Sequence, residues 1–490
     1  MSDMTVQGVG GHGPAGQPEL QRVMGPKLLL LFIVGDILGT GVYALTGSVA
    51  GEVGGAAWAP FLVAFAVATI TAFSYLELVT RYPQAAGAAL YTHRAFGIHF
   101  LTFLVAFTVM CSGITSASTA SNAFAGFVSD GFGLGFDAGS GGRLTLALAF
   151  MALVAAINLR GVGESVKANV VLTLVELSGL LMIIMIGFWA MSQGRADFSE
   201  VMIFRSSEEK SAFMALTAAT SLAFFAMVGF EDSVNMAEEC TNPVRDFPRM
   251  MLTGLGITGL IYVLVAICAV ALVPVGDLVD TTKGSALTQV VRAGAPGMPF
   301  DTIFPFIGMF AVANSALINM LMASRLLYGL ANQGVLPRAL GLVHHTRRTP
   351  WVAILFTTLL AFGLIYFVVR NSQAQAISLL GGTTALLLLC VFTIVNLSLL
   401  VLRKLSVGHD HFVAPRWVPW VGAATCAYLA GPWARSASQM PQYRIAAWLI
   451  GIGILLWALT WGWNHFVRHR DGQLRHPEDL AEHHGSGPTN

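Results

Sequence analysis

Asp36 lies in the apolar run 28–49, three residues ahead of Gly39-Thr40-Gly41. An acid at bilayer depth is expensive and usually functional. It can hold a cation, accept a proton or meet a cationic substrate, or it can cap the free N–H groups of an interrupted helix in its protonated form. The glycines beside it raise a second question. Bare backbone in hydrocarbon costs several kcal/mol per unsatisfied group, so a break here must line a polar cavity or be buried in protein. The run 211–237 carries a matching feature, Gly229 followed by Phe230-Glu231-Asp232. Glu176 stands inside another apolar run, 166–191, where a carboxyl can carry a proton or hydrogen-bond a neighbouring helix. Asn314 and Ser315 offer neutral oxygens in the run 301–330.

Two interrupted helices have a definite chemistry. Each break frees N–H groups on one half and C=O groups on the other. The N–H end is partly positive and suits a carboxylate. The C=O end suits an ammonium group or a coupling cation. Side by side, two such breaks match the two ends of a zwitterionic amino acid. The competing reading of Gly39, Gly41 and Gly229 is close helix packing, in which small residues let backbones approach.

The elements that would position these groups are membrane helices. Of 490 residues, 55% are hydrophobic and 11% charged, against roughly 25% charged in soluble domains. This composition excludes a soluble enzyme. Apolar stretches of membrane length give about twelve spans: 27–51, 56–80, 98–128, 143–159, 166–191, 211–237, 250–273, 301–330, 350–369, 377–402, 416–436 and 443–466. The eleventh is interrupted by Gly431-Pro432. The interrupted spans 1 and 6 are five apart, the spacing expected of inverted repeats formed by spans 1–5 and 6–10, with spans 11 and 12 appended. The expected organisation is therefore a cytoplasmic tail (1–26), a ten-helix transport core (27–402), two appended helices (403–466) and a second tail (467–490). Both tails read as disordered by composition, and the first lacks the pattern of a removable signal peptide.

Most of the 27 Lys and Arg residues fall on one side of these spans, including Arg81, Arg94, Arg245, Arg249, Arg403 and Lys404. That bias puts both termini in the cytoplasm of a multi-pass protein of the cell membrane. Net charge is +1, so no global field argues for nucleic acid. The five cysteines are scattered and the histidines cluster in loops and tails, so neither a metal nor another cofactor is expected. A cytoplasmic charge cluster, Glu238, Glu239, Arg245, Asp246 and Arg249, reads as a solvated loop or an ion-paired gate. Glu77 reads as solvated or paired with Arg81, four residues on.

Gly35-Asp36-Ile37-Leu38-Gly39-Thr40-Gly41-Val42-Tyr43 resembles the first-helix pattern Gly-x-Ile-Ile-Gly-x-Gly-Ile-Phe of the amino acid–polyamine–organocation (APC) superfamily. Phe224-Phe225-Ala226-Met227-Val228-Gly229-Phe230-Glu231 resembles its sixth-helix pattern. Tyr82-Pro83-Gln84-Ala85-Ala86-Gly87-Ala88 and Ala323-Ser324-Arg325-Leu326-Leu327-Tyr328-Gly329 resemble further segments in the same order. The resemblance implies an all-α, five-plus-five inverted-repeat membrane fold and secondary transport of amino acids or related amines. It implies that Thr40 and Gly41 hold the substrate carboxylate through N–H groups. Ile37 and the carbonyls near Phe225, Ala226 and Val228 would hold the amine, with Phe225 and Phe230 as aromatic walls or gates. It puts Asn314 and Ser315 near a cation position between spans 1 and 8, and Glu231 at a position that stabilises the break or relays protons. Two departures stand out. Many proton-coupled relatives carry a lysine midway along span 5, where this chain has Glu176. Asn319 falls where some members carry an aromatic gate.

The expected activity is alternating-access transport of an amino acid or amine, with a proton preferred to sodium as the coupling ion and Asp36, Glu176 and Glu231 as candidate carriers. An exchanger selective for cationic substrates is the alternative. A sensor that binds without transporting would carry the same motifs. A membrane enzyme would need a ligand-spaced His, Cys or acid cluster, and a channel a filter sequence; neither is visible.

Overall fold

A computed structural model describes residues 24–83, 87–160, 166–205, 211–332, 334–344, 347, 349–372 and 375–463. The two tails, part of the loop after span 2, and the side chains of Glu238 and Glu239 lie outside the described residues. Eleven helical segments are long and apolar enough to cross a membrane, and a shorter apolar helix, Val418–Ala430, stands where span 11 is expected. That helix stops at Gly431, whose extended backbone leads into a short tight turn at Pro432–Ala434. Proline cannot extend a helix from within, which ends the span there.

At 1.5 Å per residue, 20 residues span about 30 Å. Span 3, His99–Gly131, and span 8, Phe300–Asn332, have 33 residues each. They must tilt or project beyond the hydrocarbon. They pack against each other along their length and form the spine of the molecule. Span 10, Ala376–Leu402, packs on span 3 from the other side. Spans 7 (Pro243–Leu272) and 5 (Val166–Ser192) flank the first half of span 1, and span 2 (Trp58–Arg81) packs on span 7. Large side chains such as Trp448 (74% exposed) face outward from span 12, as lipid-facing positions should.

Within the spans, hydroxyls are satisfied locally. Ser118 and Thr119 donate to carbonyls one turn back, and Ser121 donates to the Ala147 carbonyl of span 4 at 2.7 Å. These three hydroxyls tie span 3 to its own turns and to span 4.

One expectation is corrected here. Glu77 is neither solvated nor paired with Arg81. It is fully buried and receives two bonds from Arg403, at 2.8 and 2.5 Å, plus the Ala414 N–H at 2.8 Å. Arg81 instead donates to the Leu405 carbonyl. The helical i,i+4 rule describes an isolated surface helix. Here the loop after span 10 folds over the end of span 2 and supplies a better-placed fork of donors.

Candidate functional site

Span 1 is two helices, Pro26–Leu38 and Thr40–Val53. Gly39 between them has φ −19° and ψ −146°, which ends the first ladder and starts the second. The freed groups have partners. Tyr262 of span 7 donates its hydroxyl to the Ile37 carbonyl at 2.5 Å. The Thr40 N–H donates to the Ser315 hydroxyl of span 8 at 3.1 Å. Gly39 lies against that same Ser315 side chain, leaving no room for a Cβ.

Span 6 breaks differently. The helix Ala212–Ala223 tightens into a 3-10 turn, Phe224–Met227, then Val228 becomes extended (φ −75°, ψ 147°). Gly229 follows at φ +126°, a conformation that essentially requires glycine. A second 3-10 segment, Asp232–Glu239, continues the chain. The Gly229 N–H is capped by the Glu231 carboxylate at 2.9 Å, so Glu231 has the break-stabilising contact expected of it.

The two breaks lie back to back. A Cβ at Gly229 would meet the Asp36 carbonyl oxygen at 2.6 Å and the Ile37 nitrogen at 3.0 Å. A Cβ at Gly41 would overlap the backbone of Ala226. The glycines thus allow close approach, as the packing reading has it, and the approach is between two helix breaks. Thr40, Phe225 and Ala226 are all buried. Phe225 lies against Gly381 of span 10. Phe230 stands on the other side of the break, edge-on to Tyr75 at 5.7 Å and tilted on Phe392 at 5.3 Å.

The acids gather around this junction. Asp36 is within electrostatic reach of Asp232, Glu231 and Glu176. Its Oδ2 is enclosed without a protein hydrogen-bond partner. Glu176 is fully buried; Asn314 donates to its Oε1 at 3.2 Å, while Oε2 has no protein partner. Tyr43 donates to the Glu176 backbone carbonyl at 2.6 Å. Among the described residues no group of His, Cys, Asp and Glu is arranged to hold a metal ion.

All the candidate residues therefore converge: Asp36, Ile37, Thr40 and Gly41 from span 1, Glu176 from span 5, Phe225, Ala226, Val228, Phe230 and Glu231 from span 6, Asn314 and Ser315 from span 8. Sequence reasoning missed Tyr262 and Tyr43, whose hydroxyls in apolar runs were the available signal. It also missed a narrow cleft of about 20 Å³ beside the span 6 break, lined by Ser112, Val228, Glu231, Asp232, Asn319 and Thr384 among others. Asn319 lines this cleft.

Helices that break partway along their spans, face each other and enclose a group of buried acids define a multi-pass membrane transporter. The chain belongs to the amino acid permease family, whose model matches residues 26–458, within the APC superfamily. It is 26% identical to a methylthioribose transporter of Bacillus subtilis over 82% of this chain and 85% of that protein. It is 24% identical to the branched-chain amino acid permease BcaP of the same organism, over 80% of this chain and 83% of the relative. It is 29% identical to the chloroplastic cationic amino acid transporter 9 of Arabidopsis thaliana over 67% of this chain, which covers 58% of that longer protein.

Proposed function

We propose that the protein is a secondary active transporter of amino acids or related amines across the cytoplasmic membrane, working by alternating access and coupled to protons. The observation that supports this reading most is the back-to-back packing of two helix breaks, Gly41 on Ala226 and Gly229 on Asp36 and Ile37. Residues 27–402 act as a five-plus-five inverted-repeat core, with 403–466 appended and both termini cytoplasmic. Spans 1, 2, 6 and 7 rock against spans 3–5 and 8–10. When the breaks part, the N–H groups of Thr40 and Gly41 become free for a carboxylate, and the carbonyls of Ile37, Phe225, Ala226 and Val228 for an amine. In the packed state Ser315 and Tyr262 hold two of these groups, which keeps the site from standing unsatisfied when empty.

Asp36, Glu176 and Glu231 are the proton carriers in this scheme. Asp36 Oδ2 and Glu176 Oε2 support it, since each is an acid oxygen enclosed without a protein donor, which costs little if protonated and much if charged. Sodium at Asn314 and Ser315 is the weaker option, because the Ser315 hydroxyl oxygen already accepts from the Thr40 N–H. Uptake of radiolabelled amino acids, polyamines and methylthioribose into proteoliposomes, with and without pH and sodium gradients, tests the proposal. No accumulation or exchange of any of them under any gradient would sink it.

One observation favours a second reading, a cationic substrate. Glu231 and Asp232 both line the cleft beside the span 6 break, and a positive side chain there would be drawn to them. Competition of arginine or lysine, but not leucine, for uptake would select this reading.

A further inference from the structure

The connection between spans 11 and 12 does not stay with the appended helices. It crosses the end of the molecule and bonds three different core spans. Ser436 donates to the Glu52 carboxylate at the end of span 1 at 2.9 Å. Gln439 donates to the Ala218 carbonyl of span 6 at 3.1 Å and to Glu52 at 3.4 Å, and its own carbonyl oxygen accepts from Ser221 at 3.2 Å. Arg435 donates to the Gly382 carbonyl of span 10 at 3.5 Å and to Gln442. Ser436, Gln439 and Arg435 are each about 4% exposed, so these are buried bonds in which a lost partner is costly.

These ties reach both groups that would separate, spans 1 and 6 on one side and span 10 on the other. Glu52 ends the second half of span 1, Ala218 and Ser221 belong to the first half of span 6, and Gly382 neighbours Gly381, which lies on Phe225 and Leu45. All are on the face of the molecule opposite the Pro26 end of span 1. We propose that residues 431–442 form a latch that holds this face closed, with Gln439 as its principal bolt. The inference rests on the alternating-access reading above. The latch is reversible by construction: Arg435 Nε and Nη2 find no protein partner in the closed arrangement, so opening to water relieves part of what closure gains.

The test uses full-length protein in nanodiscs, where both faces are reachable. A Leu45→Cys reporter lies beneath the latch and is fully buried. Its labelling rate with a hydrophilic thiol reagent, corrected for the same protein without the reporter, measures opening. Gln439→Ala removes the three bonds and should raise that rate about 10- to 100-fold, since each lost hydrogen bond of about 0.5–1 kcal/mol corresponds to about two- to fivefold. Ser436→Ala removes the bonds to Glu52 and Ser438, of which only the first reaches a core span; it should raise the rate about two- to fivefold, and it covers the case in which Gln439→Ala does not fold. Unchanged labelling in the folded variants overturns the latch. Failure of the underlying reading has a different signature, a reporter rate that no transported substrate alters although the variants still accelerate it.

Discussion

Gly229→Ala tests the packed junction directly. The added Cβ must sit in backbone with φ +126°, which costs a residue other than glycine about 1–3 kcal/mol. It must also occupy space 2.6 Å from the Asp36 carbonyl oxygen and 2.7 Å from its carbon. These are backbone atoms that cannot rotate away, so overpacking adds about 1–3 kcal/mol more. The total, about 2–6 kcal/mol, lowers the population of the packed state at least about 30-fold against states in which the breaks are apart. Two assays read it. Uptake at subsaturating substrate should fall by an order of magnitude or more, and the melting temperature of the purified protein should drop. Gly256→Ala is the control: it lies in span 7 with nothing within 4 Å of a Cβ, and alanine favours a helix over glycine by about 1 kcal/mol. Wild-type uptake and melting in Gly229→Ala would refute the back-to-back arrangement of the breaks.

Asp36→Asn should abolish coupled uptake while leaving melting unchanged, because Oδ2 has no protein partner to lose; wild-type transport in this variant removes Asp36 from the coupling scheme. Glu176→Gln keeps an oxygen for Asn314 and should make transport insensitive to a pH gradient, measured as uptake with and without an imposed gradient. Tyr262→Phe leaves the Ile37 carbonyl without its donor, costing about 1–3 kcal/mol of the packed state, and should change substrate affinity with little loss of folded yield. Glu77→Ala strands Arg403 and should cost about 3–5 kcal/mol, read as a loss of folded protein by size-exclusion chromatography.

The positions of both breaks were legible in the sequence because glycine beside an acid in an apolar run marks backbone that must find its partners inside the protein. The eleventh span's interruption was legible on similar grounds, a Gly-Pro pair inside a membrane-length run. What satisfies the breaks was not legible. Tyr262 and Ser315 are far along the chain from the groups they bond, and their spacing to Gly39 has no period that pattern reading could use. Glu77 departs from the local i,i+4 expectation because a distant loop supplies its partner. Asp36 reads in the sequence either as a cap or as a functional acid, and what surrounds its Oδ2, an enclosure with no protein donor, depends on helices far along the chain. The cleft at Asp232 and Asn319 depends on how spans 3, 6, 8 and 10 meet, which no single stretch encodes.

The Glu77–Arg403 pair also carries a message about synthesis. The partners are 326 positions apart, and a ribosome adds roughly 5–20 residues per second. Span 2 therefore enters the bilayer with its acid unmatched for tens of seconds, until span 10 and the Ala414 loop emerge. During that interval the nascent chain carries an acid it has not yet sealed, near the edge of the membrane. Truncations ending before residue 403 should accordingly be recognised by membrane quality control, while those ending after 414 are spared that particular defect.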